Sequence, residues 1–392
     1  MSDLDYIFSP KCIRDGAKKV FDATVAGKTH FDYHPTKLNE TINFVMEVIK
    51  ENYPDLNIPF HSRWGHFRPE VDRSKWLQEK IKHLDPIEQA RIKWDLVIPS
   101  VLLDAGAGAS WKFHENETKK DYTRSEGLGI ASFHLFMSGA LSSDGKSLRS
   151  DANGLQTVSP ALIEKYFQVN ATNPLVGVEG RAKLLKNLGQ ALENKLFFQD
   201  SRPGSLIDFL VKTHGKTIPA AALLRAVLDG LGPIWPGRET MDAVNLGDVW
   251  KHSHFGLVAF HKLSQWMTYS LVEPLLDAGI AVTGAEGLTG LAEYRNGGLF
   301  LDTGLITFKN KENGKKAWAP ESDLIIEWRA LTVYLLDVVG SEIQKAINKS
   351  PSEFPLAKVL EGGTWWAGRK IAKTLRPGGE PPLNIISDGT VF

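Results

Sequence analysis

Cysteine is almost missing from this chain. Cys12 is its single thiol, which excludes an internal disulfide and any metal site built from several thiolates. A chain of that kind suits a reducing compartment, and a cytoplasmic location is expected. A surplus of charge is missing too, because 46 basic residues face 46 acidic ones. A broad nucleic-acid surface needs an excess of Lys and Arg, so nucleic acid is not an expected partner. No apolar run reaches the length of a bilayer span, and no membrane partner is expected. The opening Met-Ser-Asp-Leu-Asp-Tyr lacks the apolar core of a signal peptide. Familiar catalytic signatures are absent as well: no G-x-S-x-G elbow, Walker loop, H-E-x-x-H or C-x-x-C occurs.

What remains is an ordinary globular composition, 42% hydrophobic and 23% charged, with an unusual eleven Trp. Large rings at that number suit a thick core or a pocket that stacks a flat ligand. Helical spacing dominates the chain. Ile13, Ala17, Val20 and Phe21 share one face after Pro10; Leu38, Ile42, Val45, Met46 and Ile49 share another up to Tyr53, with Thr36 as the expected cap. Asp85-Pro86 reads as cap and first helical residue of the next helix. Further helices are expected over Ile130–Leu141, Gly180–Asn194, Ala220–Leu231, Asn245–Leu276 and Asp323–Val339. Only Leu299–Phe308 and the stretch Asn384–Ile386 read as strands. The fold expected is mainly α, a single large helical domain over 1–392 with a few short strands. Residues 1–80 form an N-terminal helical part packed on it, and 370–392 a Pro/Gly-rich tail.

The richest stretch is Gly290 to Gly304, G-L-A-E-Y-R-N-G-G-L-F-L-D-T-G. Glu293, Tyr294, Arg295 and Asn296 stand in consecutive positions before a glycine pair and an apolar run ending at Asp302. Either a functional loop on a rigid scaffold or a strand-turn with a structural ion pair satisfies that pattern. Metal ligands are hard to assemble. His61 and His66 are five apart, off the spacing of a helical pair, and His252, His254 and His261 stand at mixed phases. The Gly106-Ala107-Gly108-Ala109-Ser110 piece departs from a dinucleotide fingerprint at Trp111. No metal or organic cofactor is expected.

Three carboxylates stand beside aromatics and arginines: Asp104 by Trp111, Glu239 by Trp235 and Arg238, and Glu293 by Tyr294 and Arg295. Such a set suits rupture of a C–N bond at a sugar anomeric carbon. Positive charge develops on the ribose ring, a fixed carboxylate stabilises it, and hydrogen bonds hold the hydroxyls. Arginine can hold a phosphate, and rings can stack on a flat leaving group. A ligand-binding protein would use the same parts.

The stretches V-L-L-D-A-G-A-G-A-S-W-K-F, S-E-G-L-G-I-A-S-F, F-Q-D-S-R-P-G-S-L-I-D, G-P-I-W-P-G-R and E-Y-R-N-G-G-L-F-L-D-T-G resemble the uracil-catabolism protein family of fungi and bacteria, long filed as a domain of unknown function and grouped with the URC genes. The resemblance covers nearly the whole chain. A looser likeness joins Glu293 to Gly297, Trp235 to Glu239 and Asp104 to Trp111 with motifs of the queuosine salvage glycosylases, which are helical and similar to DNA glycosylases. That likeness implies that Glu239 and Glu293 stand where those enzymes place two ribose-side aspartates. Glu in both places, and the lack of a Pro-Gln pair after Arg295, imply a smaller leaving group. The expected activity is an N-ribosyl hydrolase on a ribosylurea or its phosphate, a small-molecule ribosylated substrate. Glu293 and Glu239 are the expected catalytic pair, one also handling water; Asp104, Trp111, Trp235, Arg238, Tyr294, Arg295, Asn296 and Asp302 are expected to bind substrate. An amidohydrolase acting on an opened pyrimidine and a non-catalytic binding protein are the alternatives.

Overall fold

The computed structural model describes residues 2–104, 106–108, 110–235 and 237–386. Its principal helices are α1 (Pro10–Val25), α2 (Leu38–Asn52), α3 (Pro86–Leu102), α4 (Arg124–Met137), α5 (Val178–Ala191), α6 (Ala220–Leu231), α7 (Lys262–Asp277), α8 (Tyr294–Asp302), α9 (Asp323–Ala346) and α10 (Trp365–Leu375). Strands are short and pair two by two: β1 (Phe31–Tyr33), β2 (Lys112–Glu115), β3 (Lys120–Thr123), β4 (Thr217–Pro219), β5 (Thr240–Met241), β6 (Val244–Asn245), β7 (Val249–His252), β8 (Gly256–Ala259), β9 (Ala281–Thr283), β10 (Ile306–Phe308), β11 (Ala317–Trp318) and β12 (Asn384–Ile385). The fold is mainly α. The described residues group into two compact units, each assembled from separated stretches. The first takes 2–61, 237–265 and 284–386, the second 62–236 and 266–283.

In the first unit α9 is the axis. Leu324, Ile325, Trp328, Leu331, Leu335, Val339 and Ile343 are all buried, and the buried set runs round most of the helix, so it is a core helix rather than a surface one. α1 lies along it, with Phe21 stacked on Tyr334 at 4.0 Å and Arg14 paired to Asp337 at 2.8 Å. α1 starts as its sequence dictates: Ser9 accepts from the Cys12 N–H and Pro10 fills the first helical position. β1 and β10 pair antiparallel, Phe31 opposite Phe308.

α8 carries the richest motif, and it is a helix rather than the loop or strand-turn expected. Strand structure within Leu299–Phe308 is confined to Ile306–Phe308. The glycines explain the difference. A Cβ at Gly297 would lie 2.7 Å from the Trp328 ring, and one at Gly298 3.1 Å from Pro382. Both are glycine because neighbours press on α8, which propensity alone does not show. Gly368 of α10 lies against the main chain of Arg295 in the same way: a Cβ there would sit 2.8 Å from the Arg295 carbonyl carbon and closer still to its oxygen.

The expected helix Asn245–Leu276 is also corrected. It holds β6, the β7–β8 hairpin and then α7, which begins only at Lys262. Gly247 and Gly256 have positive φ, as does His261 at 46°, so the backbone leaves helical geometry three times.

In the second unit α3 begins as read, with the Asp85 carboxylate accepting from the N–H groups of Ile87 and Glu88. Its buried Asp95 is paired to Arg202 and accepts from the Gly204 N–H at 2.7 Å. The β2–β3 hairpin, with Phe113 opposite Tyr122, leads into α4, and the parallel pair β4–β9 ties the stretch before α6 to the one after α7.

Replacing Gly368 by Ala forces a methyl group into the α8 backbone and is expected to cost about 3 kcal/mol, the upper end for overpacking. Gly287, which has open space around it, is the control: its Ala variant should stay within about 0.5 kcal/mol of the parent in urea unfolding. Equal midpoints for both variants would contradict the packing described.

Candidate active site

Glu293 is the N-cap of α8. One carboxylate oxygen accepts from the Arg295 N–H at 2.8 Å and the other from the Asn296 N–H at 2.6 Å. Glutamate is an uncommon cap, but its longer side chain folds back over the first turn and meets the positive end of the helix. The residue is 7% exposed. Arg295, itself buried, lies 4.9 Å from the Tyr294 ring centre and donates to the Gly379 carbonyl at 2.8 Å. Asn296 donates to the Leu291 carbonyl, while its Oδ1 is buried with no partner among the described residues. An orphan acceptor of that kind costs about 1–3 kcal/mol. Asp302 closes the other end of α8, held by two bonds from Arg376 at 2.9 and 2.5 Å. With Glu40, Phe44, Glu47 and Ile371 it lines a cleft of 560 Å³.

Arg238 and Glu239 enter the same unit on a different arm. The main-chain carbonyl of Glu239 accepts from the Leu246 N–H at 3.0 Å, and the β5–β6 turn beyond it places Asp242 and Ala243 both at positive φ. Two successive left-handed residues make a type I′ turn, the kind that suits the twist of a tight hairpin. The Glu239 carboxylate is half-buried and takes no hydrogen bond or ion pair among the described residues. Arg238 lies over the Trp250 ring at 4.7 Å.

A continuous set of contacts joins this arm to Glu293. Trp250 Nε1 donates to Asp248 at 2.7 Å, and Asp248 takes both terminal nitrogens of Arg329, each at 2.7 Å. Arg329 Nε then donates to the carbonyl of Ala292, the residue before Glu293, at 3.5 Å. Burial pushes the Asp248 carboxyl up, but the Arg329 charge and its hydrogen bonds, with those of Trp250 and the Lys262 N–H, outweigh it and hold the group well below the usual carboxylate range. Neither Asp248 nor Arg329 was among the expected site residues; Arg329 is one of several charged residues on α9, and nothing local marks Asp248 as its partner.

Asp104, Trp111 and Trp235 belong to the second unit. Asp104 is paired to the fully buried Arg63 at 2.5 Å and accepts from Ser125 Oγ at 3.2 Å. Arg63 donates also to Ser100 Oγ at 2.6 Å. Trp111 is 1% exposed, donates to the Phe167 carbonyl and sits over Gly127, a core position of this unit. Trp235 is half-buried and follows the short turn Gly232–Ile234. Nearby, Glu115, Glu117 and His134 bring ligand atoms within 4.8 Å of one another. Arg73 grips Glu115 with two bonds, and His134 and Thr118 donate to it besides, so its lone pairs are already engaged.

One polar cluster of the first unit escaped the sequence reading. His61 Nδ1 lies 2.7 Å from Glu361, and Tyr53 donates to the other Glu361 oxygen at 3.3 Å. Glu361 stands on a π-helical turn, Leu360–Thr364. The Gly-Gly after Glu361 was visible in the sequence, but its partner His61 is 300 residues away.

Arg329→Met should cost about 3–5 kcal/mol at neutral pH, because it leaves the Asp248 charge buried and alone. The double variant Asp248→Leu/Arg329→Met should recover a large part of that loss in a urea-unfolding cycle. The sign with pH follows from the lowered carboxyl: the folded-state value lies below the ordinary 3.8, so the pair's contribution is present above 3.8 and is lost as pH falls below it. The gap between parent and double variant should therefore close in acid. Additive single costs would remove Asp248–Arg329 as a coupled pair.

Two comparisons bear on what this scaffold belongs to. A family model described as "Protein of unknown function (DUF1688)" matches residues 6–392. "Protein urg3" of Schizosaccharomyces pombe is 39% identical over 402 residues, spanning 98% of this chain and 98% of its own. "Uracil catabolism protein 4" of Lachancea kluyveri is 37% identical over 437 residues, covering 99% of both. At that identity and coverage, the chain belongs to the DUF1688 family of these two proteins.

Proposed function

We propose that this protein hydrolyses the N-glycosidic bond of a ribosylurea or phosphoribosylurea, yielding urea and ribose or its phosphate. The full-length likeness to a uracil catabolism protein supports a part in uracil breakdown. The observation that carries the finer reading is the Glu239 carboxylate, which has no hydrogen-bond or ion-pair partner among the described residues and shares a unit with the Glu293 cap.

Rupture of the bond from C1′ to nitrogen leaves positive charge on the sugar ring. A carboxylate with no fixed cation beside it keeps its full charge for that moment. Glu239 answers that description. Glu293 has two of its roughly four lone-pair directions engaged by backbone N–H groups, and the others can accept ribose hydroxyls. The cap holds those oxygens in place, so the hydroxyl bonds cost little reorganisation when the barrier is crossed. Tyr294 and Arg295 present a ring and a buried cation on the same turn, suited to the carbonyl side of urea or to a phosphate.

Incubation of the protein with synthetic ribosylurea, and separately with its 5′-phosphate, should release urea and free sugar in equal amounts. Glu239→Gln should lower kcat at least 10²-fold, about the loss when one electrostatic group of a transition state is removed. Glu293→Gln should lower it as well and cost about 1 kcal/mol of stability through the weakened cap. Release of ammonia in place of urea would move the protein to amide hydrolysis, and full activity of both variants would end the assignment.

A further inference from the structure

The His61–Glu361 pair does not enter that scheme, yet it is built like a proton-transfer device. His61 is 5% exposed, and its Nδ1 lies 2.7 Å from a Glu361 oxygen. Glu361 is fixed from its other side by the Tyr53 hydroxyl. A carboxylate on Nδ1 selects the tautomer that carries its proton there, so proton exchange falls to Nε2. The carboxylate also stabilises the imidazolium once it forms, the role an orienting acid plays beside a catalytic histidine.

The backbone beneath the pair is irregular and pinned. Leu360–Thr364 is π-helical, a geometry that resets the direction of side chains and recurs at functional sites. Two glycines let it press into its neighbours: a Cβ at Gly362 would strike Ile58, and one at Gly363 would lie 2.7 Å from Val45. Thr364, fully buried, has an Oγ1 with no partner among the described residues. In a regular helix that hydroxyl would back-bond to the carbonyl four residues earlier. Here it is a donor and acceptor left open, which a bound water or a ligand hydroxyl would satisfy.

The pair is also tied to the Glu293 segment. The π turn runs directly into α10, and Gly368 of α10 lies on the Arg295 main chain in the first turn of α8. Glu361 and Gly368 therefore stand on one continuous stretch of chain, which joins the His61 pair to the first turn of α8. Trp365, 5.7 Å from His61 between ring centres, and Trp366 stand under the Arg369 guanidinium at 5.5 and 5.2 Å, giving this wall of the unit flat apolar faces.

We propose that His61 is the proton-transfer residue of the glycosidic hydrolysis and that Glu361 is its positioning residue. The inference rests on the hydrolase reading above and assigns to His61 the water-handling role that the sequence gave to one of the two glutamates. Nε2 takes a proton from water as the water oxygen bonds to C1′. The bond from C1′ to nitrogen breaks, its electron pair stays on the urea nitrogen, and the imidazolium returns the proton to that nitrogen. Water is consumed, and no oxidant or metal enters the balance.

The test uses the full-length protein and ribosylurea, with urea release by the parent measured first. His61→Gln should reduce kcat at least 10²-fold, within the usual range for loss of a general acid–base group, with KM within about threefold. Glu361→Gln keeps an acceptor for Nδ1 but drops the charge, and should reduce kcat about tenfold. The pH dependence of the parent's kcat should have two limbs, one of which disappears in His61→Gln. Circular dichroism and thermal unfolding establish that each variant is folded; should His61→Gln fail to fold, the Glu361→Gln rate and profile decide. Unchanged rates, or lost activity with the two-limbed profile intact, overturn the assignment while leaving the hydrolase reading standing. A parent that releases no urea overturns both.

Discussion

A single buried ion pair organises the first unit around its chemistry. Asp248 accepts from Arg329 twice, from the Trp250 indole and from the Lys262 N–H, while its own carbonyl receives the N–H groups of Phe260 and His261. Arg329 comes from the core helix α9, with the Phe260 ring 4.0 Å beneath its guanidinium. Burying two charges is expensive, and such a pair is justified only when the remaining donors and acceptors are satisfied; here they largely are. The consequence is structural precision where the chain has little regular structure. The arm from Gly237 to His261 has four short strands and no helix. The pair places it together with the buried side chains of Leu246, Val249, Val258 and Phe260, and Arg238 and Glu239 lie on the same arm. Because Arg329 also reaches the Ala292 carbonyl, one guanidinium fixes the starting points of both glutamate segments.

What the sequence disclosed depended on whether a signal was local. α1 and α3 were legible because a cap and a proline sit side by side, Ser9 with Pro10 and Asp85 with Pro86, and each does locally what its chemistry predicts. α2 was legible by its stripe, although its start was not: Leu38 follows a 3₁₀ turn containing Thr36, and no side chain caps it. α8 was hidden for two reasons. Glu293 is outside the usual set of capping residues, and Gly297-Gly298 argues against a helix on propensity. Both objections are answered only by tertiary structure, because Trp328 and Pro382 occupy the space a side chain would need. The 245–276 segment failed differently. Its apolar residues fit helical spacing as well as they fit strands, and the deciding elements are left-handed turns whose stabilising partner, Arg329, lies far along the chain. The Glu361–His61 pair shows the same limit: each residue is ordinary in its own neighbourhood, and the chemistry exists only between them.

The candidate acids are distinguished less by where they lie than by how much of their charge remains uncommitted. Asp104 faces a guanidinium with no exposure to solvent, so its negative charge is largely cancelled before any ligand arrives, and its use is to hold Arg63. Asp302 is in the same position with Arg376. Neither can do much for a transient cation, because the fixed positive partner repels that cation almost as strongly as the carboxylate attracts it. Glu293 faces amide dipoles instead of a full charge, and its two backbone N–H bonds fix both carboxylate oxygens without a cation beside them. Glu361 faces an imidazole, whose charge can change during a reaction, and a phenol. Glu239 has no hydrogen-bonded or charged partner for its carboxylate among the described residues. Such a gradient, from cancelled to uncommitted charge, is what the proposed glycosidic hydrolysis would draw on: acids that build the frame, one to grip hydroxyls, one to tune a proton carrier, and one left to meet a positive ring.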